Sequence, residues 1–258
     1  MREDSFSKTQ HLLLDKASYL DLPYVHLSTA LHHHLFRVLR VKVDDILYLC
    51  HQGSAFYLSC QAIETSRIRV NVLKKLRLKD GSFRFHLLQV LPKQDKFSEI
   101  LRANVELGVH HIIPLTSQFC AVSSNIVSQR QSRWEKILFS AALQSKRSLL
   151  PQLKPLLRFH DLPNFSSPAI KLLFWENAPI KASVFDYFTS LDIHHDQPLD
   201  VYFLIGSEGG FHEDEVKFAQ SLGFQVLSLG ASVLRVEHAS VVALAQIKGF
   251  LHYLLNKS

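Results

Sequence analysis

The sequence predicts a small β barrel followed by a larger α/β domain built on a mostly parallel sheet. Up to about residue 80, apolar and polar residues alternate with the period of two that a half-buried strand requires. Beyond it, short apolar runs alternate with helical stripes, the order that covers a parallel sheet with helices. Asp80-Gly81-Ser82 is turn chemistry and marks the boundary, so the expected domains are residues 1–79 and 80–258. A chain of 258 residues has room for a small domain joined to a medium one.

In the first domain, Ile46-Leu47-Tyr48-Leu49-Cys50 and Phe56-Tyr57-Leu58-Ser59-Cys60 flank His51-Gln52-Gly53-Ser54, a hairpin with a glycine in its loop. In the strand that follows, Ile68, Val70, Val72, Leu76 and Leu78 share one parity. Arg67, Arg69, Asn71, Lys75, Arg77 and Lys79 share the other, which sets an apolar face against a basic one. Lys74 breaks the alternation and marks a bend.

Candidate strands of the second domain are Phe85-Val90, His110-Leu115, Ile170-Trp175, Val201-Ile205 and Phe224-Leu229. Phe97, Ile100, Leu101 and Val105 form a helical stripe that Gly108 is placed to stop, and Trp134, Ile137, Leu138 and Ala141 form another. Pro151, Pro155, Pro163 and Pro168 punctuate a loop-rich stretch, and a last helix is expected from near Ala239 to Leu255.

Composition narrows the function classes. With 47% apolar and 20% charged residues, the chain is expected to fold rather than remain disordered. No apolar run approaches the roughly 18 residues that span a bilayer, and Met1-Arg2-Glu3-Asp4-Ser5 lacks the apolar core of a secretory signal, so a cytoplasmic protein without a membrane partner is expected. Cys50, Cys60 and Cys120 form no CxxC pair and read as buried thiols. His32-His33-His34 point in different directions on any regular element, so no metal site is expected from them.

The formal charge of +6 is modest, but between Glu64 and Asp80 it is concentrated in Arg67, Arg69, Lys74, Lys75, Arg77 and Lys79. That stretch reads equally as a phosphate-facing surface or as a solvated strand face.

Two segments carry the chemistry. Leu204-Ile205-Gly206-Ser207-Glu208-Gly209-Gly210-Phe211 leaves an apolar strand and enters a helix through a glycine-rich loop, which lets a ligand approach the backbone closely or simply makes a tight turn. It is neither GxGxxG nor a Walker loop, and Glu208 with Glu213, Asp214 and Glu215 disfavours a polyphosphate there. A cationic ligand such as a sulfonium fits better, although the last three carboxylates read most simply as helix-start residues. The second segment, Leu227-Ser228-Leu229-Gly230-Ala231-Ser232-Val233-Leu234-Arg235-Val236-Glu237-His238-Ala239, repeats the strand, loop and helix order. Arg235 and Glu237 are out of place before so apolar a helix; a salt bridge and a helix-start carboxylate are the plain alternatives.

On these residues the chain resembles the RsmE family of ribosomal RNA uridine-N3 methyltransferases, of the SPOUT class. The family's Ile-Gly-Pro-Glu-Gly-Gly-Phe stands here as Ile205 to Phe211 with Ser207 in the proline position, and its Leu-Gly-Pro-Arg-Ile-Leu-Arg-Thr-Glu-Thr-Ala stands as Leu229 to Ala239. His33-His34-Leu35 with Val38-Leu39-Arg40, Leu91-Pro92-Lys93 with Glu106-Leu107-Gly108-Val109, and Arg133-Trp134 with Gln144-Ser145-Lys146-Arg147 agree in order. Ala231, Ser232, Val236 and His238 depart from the pattern, and Asp44 replaces the usual glycine before Asp45.

The resemblance implies a PUA-like barrel, a SPOUT domain with a trefoil knot at roughly residues 170–258, and pairing of two chains through the knotted domains. It implies S-adenosylmethionine held, mainly by backbone groups, among Trp175, Glu176 and Asn177, the loop of Ile205, Gly206, Glu208, Gly209 and Gly210, and the segment of Leu227, Leu229, Gly230 and Leu234. The implied reaction methylates N3 of one uridine in 16S RNA of the small ribosomal subunit. Arg235 is the candidate to stabilise charge on the uracil, with Glu237 or Glu208 to orient it or accept its proton. Arg37, Arg40, Arg67, Arg69, Lys75, Arg77, Lys93 and Arg147 are the candidate RNA contacts. The rival readings are a noncatalytic SPOUT-fold RNA-binding protein and a SPOUT methyltransferase with another RNA target.

Overall fold

The computed structural model describes residues 9–51, 54–77, 81–120, 125–165, 168–191 and 198–255. The chain divides into two compact units, Met1–Asp80 with Ala142–Leu150, and Gly81–Ala141 with Pro151–Ser258. The expected domain boundary at Asp80, the hairpin residues Gln52 and Gly53, and Leu78 and Lys79 lie outside the described residues.

In the first unit, β1 (Gln10–Leu12), β2 (Tyr19–Asp21), β3 (Tyr24–His26), β4 (Ile46–His51), β5 (Ser54–Ile63) and β6 (Arg67–Arg77) form one sheet in the order β1-β4-β5-β6-β3-β2. Among the described residues this path has two ends and closes no barrel, so the predicted barrel is found as a six-stranded sheet. Alternation places Leu47, Leu49, Leu58 and Ile68 in its core with no exposed surface.

The apolar parity of β6 holds only as far as Val70, which is 3% exposed, whereas Leu76 is 38% exposed. Val72, still paired with Leu58, is already 37% exposed, and a register shift follows it: Tyr57 pairs with Lys74, which leaves Leu73 unopposed and inverts the parity beyond it. The bend read at Lys74 is this bulge, one residue earlier.

One stretch of the first unit is helical where strands were expected. Ser28 caps α1 (Thr29–His33) by accepting from the backbone N–H of Leu31 at 3.0 Å, and a π turn follows over His34–Val38. Leu31 and Leu35, four residues apart, bury one face of it. Asp44 has φ of +71°, a conformation that favours glycine and that Asp tolerates, so the replacement keeps the turn.

The second unit is a seven-stranded sheet whose paired strands are all parallel. Its elements are β7 (Phe83–Val90), α2 (Lys96–Glu106), β8 (His111–Thr116), α3 (Asn125–Gln144, of which the part from Ala142 on belongs to the first unit), β9 (Gln152–Leu153), β10 (Leu157–Arg158), β11 (Ala169–Phe174), α4 (Val184–Thr189), β12 (Leu199–Ile205), α5 (Glu213–Ser221), β13 (Gln225–Leu227) and α6 (Val236–Leu255). Each expected strand and helix is found, with α6 starting three residues before Ala239. Among its described residues the proline-rich stretch holds β9, β10 and a single 3₁₀ turn.

The strand order β10-β8-β7-β12-β11-β13 makes β7 and β12 neighbours whose chains leave in opposite directions, β7 towards β8 and β12 towards β13. Such a switch point opens a crevice beyond the C-terminal strand ends. Leu88, Val90, Ile113, Leu115, Leu173 and Leu204 pack under Val216 and Ala219 of α5. Asn104 of α2 donates to Ser240 of α6 at 2.8 Å, and Lys248 to the Leu107 carbonyl at 2.6 Å, so α2 and α6 lie together. Cys50 and Cys60 are buried as expected; Cys120 is only partly so and donates to the Leu91 carbonyl at 3.4 Å.

At the other end of the strands, His86 Nε2 lies 2.8 Å from Asp200 Oδ1 and His86 Nδ1 lies 2.9 Å from His111 Nδ1. An ionised Asp200 accepts from Nε2–H, so Nδ1 of a neutral His86 accepts in turn from His111. Burial, then the proximity of His86, pushes His111 down to about 4 from its ordinary 6.5, and burial lowers His86 as well, against the pull of Asp200. The unfolded chain therefore binds more protons than the native one between about pH 4 and 6.5, and native stability rises with pH across that window. Thermal melts followed by circular dichroism should give a lower Tm at pH 5 than at pH 7, with a smaller difference in H111Q. Equal drops in both proteins would show that this pair is not responsible.

Candidate functional site

Beyond the C-terminal ends of β11, β12 and β13, three loops surround a cavity of about 360 Å³, within the range of about 300–1,000 Å³ usual for small-molecule sites. Trp175 and Glu176 follow β11, Gly206 to Gly210 follow β12, and Ser228 to Leu234 follow β13. Arg235, Val236 and Glu237 open α6 at its rim, and Lys96 from the start of α2 completes it.

The glycine-rich loop folds as it does for local reasons. Gly210 has φ of +67° and donates its N–H to the Ser207 carbonyl at 3.0 Å. A Cβ there would lie 1.9 Å from Glu176 Oε1, so the missing side chain admits the Glu176 carboxylate. Gln89, fully buried on β7, donates to the carbonyls of Val90 at 2.9 Å and Gly206 at 3.1 Å, which ties the loop to the neighbouring strand. Glu215 closes the capping box of α5 by accepting from His212 N at 3.0 Å, and its other oxygen accepts from Gln118 N at 2.8 Å. Its helix-start role thus extends to a second loop. In the third loop Ser228 accepts from Gly230 N at 3.1 Å, and Gly230 takes φ of +122°.

Charge at the rim is organised around Glu208. Its carboxylate accepts from the backbone N–H of Lys93, at 3.2 and 3.1 Å, and from Lys96 Nζ at 3.0 Å. Burial alone would raise Glu208, but backbone donors and Lys96 prevail and hold it below the usual carboxylate range. The bond to Glu208 correspondingly raises Lys96. Glu237 Oε2 is buried, makes no hydrogen bond among the described residues, and lies 3.8 Å from Lys96 Nζ. Trp175 Nε1 and Ser207 Oγ are likewise buried without a partner among the described residues.

Of the residues singled out from the sequence, Trp175, Glu176, Ile205, Gly206, Glu208, Gly210, Leu229, Gly230, Leu234, Arg235 and Glu237 line the cavity. Gly209 instead faces Phe119, whose Cβ would be 2.8 Å from an added Cβ, and Leu227 is buried with its carbonyl accepting from Trp175 N at 3.0 Å. Arg37, Arg40, Arg69, Lys75 and Arg77 are exposed in the first unit. Arg67 is tied to Glu64 at 2.5 Å and lies 4.0 Å over the ring of Tyr24. Lys93 is exposed in the second unit, while Arg147 is half-buried and burial lowers its pKa.

Sequence reasoning missed Lys96 and Gln89. Lys96 opens a helix, where the macrodipole disfavours a cation, and that misplacement was its signal. Gln89, a polar residue inside an apolar strand, was the other.

Comparison with known proteins identifies the class. Residues 79–248 match the RNA methyltransferase domain family, so the chain carries an RNA methyltransferase domain. "Ribosomal RNA small subunit methyltransferase E" of Buchnera aphidicola is 30% identical over 89% of this chain and 89% of its own, and that of Synechocystis is 30% identical over 88% and 73%. The chain belongs to the ribosomal RNA small subunit methyltransferase E family. The crystal structure of the Neisseria gonorrhoeae enzyme of that name, bound to S-adenosylmethionine, superposes with a TM-score of 0.73 at 27% identity, covering 94% of this chain and 97% of that one.

Gly210→Ala should cost about 1–2 kcal/mol through its left-handed backbone alone, and it displaces Glu176 from the cavity wall. Urea denaturation should show that loss, and calorimetry with S-adenosylmethionine a weaker affinity. Wild-type values in both would remove Gly210 from the site.

Proposed function

We propose that this chain transfers the methyl group of S-adenosylmethionine to N3 of one uridine in 16S RNA of the small ribosomal subunit. The observation that carries this is the cavity where all three family loops meet, lined by the carboxylates of Glu176, Glu208 and Glu237. Against the cations Lys96 and Arg235 of the same lining, these three carboxylates leave it net negative, which favours a ligand with a sulfonium and an ammonium group over a polyphosphate. The unpartnered Trp175 Nε1 and Ser207 Oγ are groups such a ligand would satisfy.

When bound, the cofactor supplies an activated methyl carbon, and displacement there needs alignment more than covalent help. Trp175, Gly206 and Gly230 would hold it by backbone and ring contacts. N3 lies on the pairing edge of uridine, so the base must be unpaired and turned into the site. The exposed Arg235 has no hydrogen-bond or ion-pair partner for its guanidinium among the described residues, and it would stabilise charge on the uracil as N3 loses its proton. Glu237 or Glu208 would take that proton.

The finer fold reading, a PUA-like first unit and a trefoil knot over residues 170–258, goes with this proposal. It is supported by the position of β11 between β12 and β13, which makes the chain pass back across its own sheet. Exposed Arg37, Arg40, Arg69, Lys75 and Arg77 would hold RNA phosphates. No helix among the described residues is long and apolar enough to cross a membrane, and a cytoplasmic setting follows from the ribosomal substrate.

The test is incubation with labelled S-adenosylmethionine and small subunits from cells lacking the modification, followed by mass spectrometry. Label on N3 of a single uridine is expected, and R69A and R77A should raise KM for the subunit. Binding of cofactor without transfer to any small-subunit RNA would favour another target, and no binding would favour a noncatalytic protein.

Homodimerisation is supported by an apolar groove between α4 and α6, lined by Phe185, Phe250 and Tyr253, in which Phe185 is 61% exposed. Light scattering should give the mass of two chains for the wild type and of one for F185E. A monomeric wild type that turns over would end this reading.

A further inference from the structure

Two carboxylates at the rim of the cavity, Glu208 and Glu237, have the chemistry of a proton acceptor, and their surroundings separate them. Both oxygens of Glu208 accept from Lys93 N, and Oε1 also accepts from Lys96 Nζ. A carboxylate so supplied with donors is a weak base. Glu237 stands in the first turn of α6, where the helix dipole favours its negative charge, yet its Oε2 has no hydrogen bond among the described residues. Among the described residues its ion-pair partner is Lys96, at 3.8 Å, too far for a hydrogen bond and near enough for attraction.

Lys96 therefore reaches the two loops at once. It belongs to α2 beyond β7, Glu208 to the loop after β12, and Glu237 to the start of α6 after β13. Its ammonium is a point charge with three donors on a flexible stem, of which Glu208 takes one. It lines the cavity itself, on the same side as both carboxylates.

Resting on the methyl-transfer reading, we infer that Lys96 is a positioning residue: it anchors Glu208 to the glycine-rich loop and orients Glu237, so that Glu237, rather than Glu208, offers its free oxygen to an N–H donor of the bound ligands. That donor is the cofactor's amino group or the target N3–H. In the first case Glu237 contributes affinity; in the second it accepts the proton as N3 becomes the nucleophile, and the S–CH₃ bond breaks as the N–CH₃ bond forms. Glu208 acts through the loop it braces.

The test uses the full chain with K96M, K96R, E208Q and E237Q, each checked by circular dichroism for native structure. Carboxyl titration by NMR with ¹³C-labelled glutamate, assigned through E208Q and E237Q, reads Lys96 without any turnover. In K96M the Glu208 signal should titrate at higher pH than in wild type, the Glu237 signal should change its chemical shift, and K96R should restore both. Movement of neither signal, or of Glu208 alone, overturns the positioning of Glu237.

Calorimetry and initial rates then separate the donors. E237Q should lower kcat/KM at least tenfold, and by more than E208Q does. An accompanying tenfold loss of S-adenosylmethionine affinity identifies the cofactor's amino group, whereas affinity within threefold and a lower kcat identifies N3–H. E237Q with wild-type affinity and turnover overturns the inference. If the wild type binds cofactor but methylates no small-subunit RNA, the proposed substrate fails, and the titration still decides the role of Lys96.

Discussion

A sheet whose paired strands all run parallel and whose central strands are buried must bring its C-terminal ends to one edge, and the rest of this protein's chemistry depends on that constraint. β7, β11, β12 and β13 are paired in register, so Phe174 stands beside both Ile205 and Leu227. Three loops far apart in sequence are thereby delivered to one place. No side chain in those loops has to travel far, because the backbone has already converged.

What the convergence leaves unsettled is the shape of each loop, and buried polar groups decide it. Gln89 holds the Gly206 carbonyl, Glu215 joins the start of α5 to Gln118, and Asn104 joins α2 to α6 through Ser240. Each lies in an apolar setting, where a made hydrogen bond is specific; the amide nitrogens of Gln89 and Asn104 make theirs, while Gln89 Oε1 and Asn104 Oδ1 have no partner among the described residues. Glycine acts in the same way by absence: Gly210 gives space to Glu176, and Gly230 supplies only its backbone freedom, since nothing lies within 4 Å of its missing Cβ.

Much of the second unit was legible because its signals are local. Apolar runs of strand length, the stripe of Phe97, Ile100, Leu101 and Val105, and the stop at Gly108 need no knowledge of partners. The first unit was less legible. Leu73 reverses the parity of β6 because of how β5 pairs with it, and the helix at Thr29–His33 lies among strand-like neighbours. The Ser28 cap and the Leu31 and Leu35 spacing were present but short.

By itself the sequence marked the loops that meet at the cavity, since glycine at 206, 209, 210 and 230 and charge at Glu208, Arg235 and Glu237 are properties of residue type and order. Only the tertiary structure decided how those charges divide. Lys96 and Glu208 are 112 residues apart and Gln89 and Gly206 are 117 apart, and no local pattern encodes such a pairing. The physical reason is that a side chain's hydrogen-bond partners and desolvation are set by whatever the fold packs beside it. The same carboxylate is an anchor when donors surround it and an acceptor when they do not.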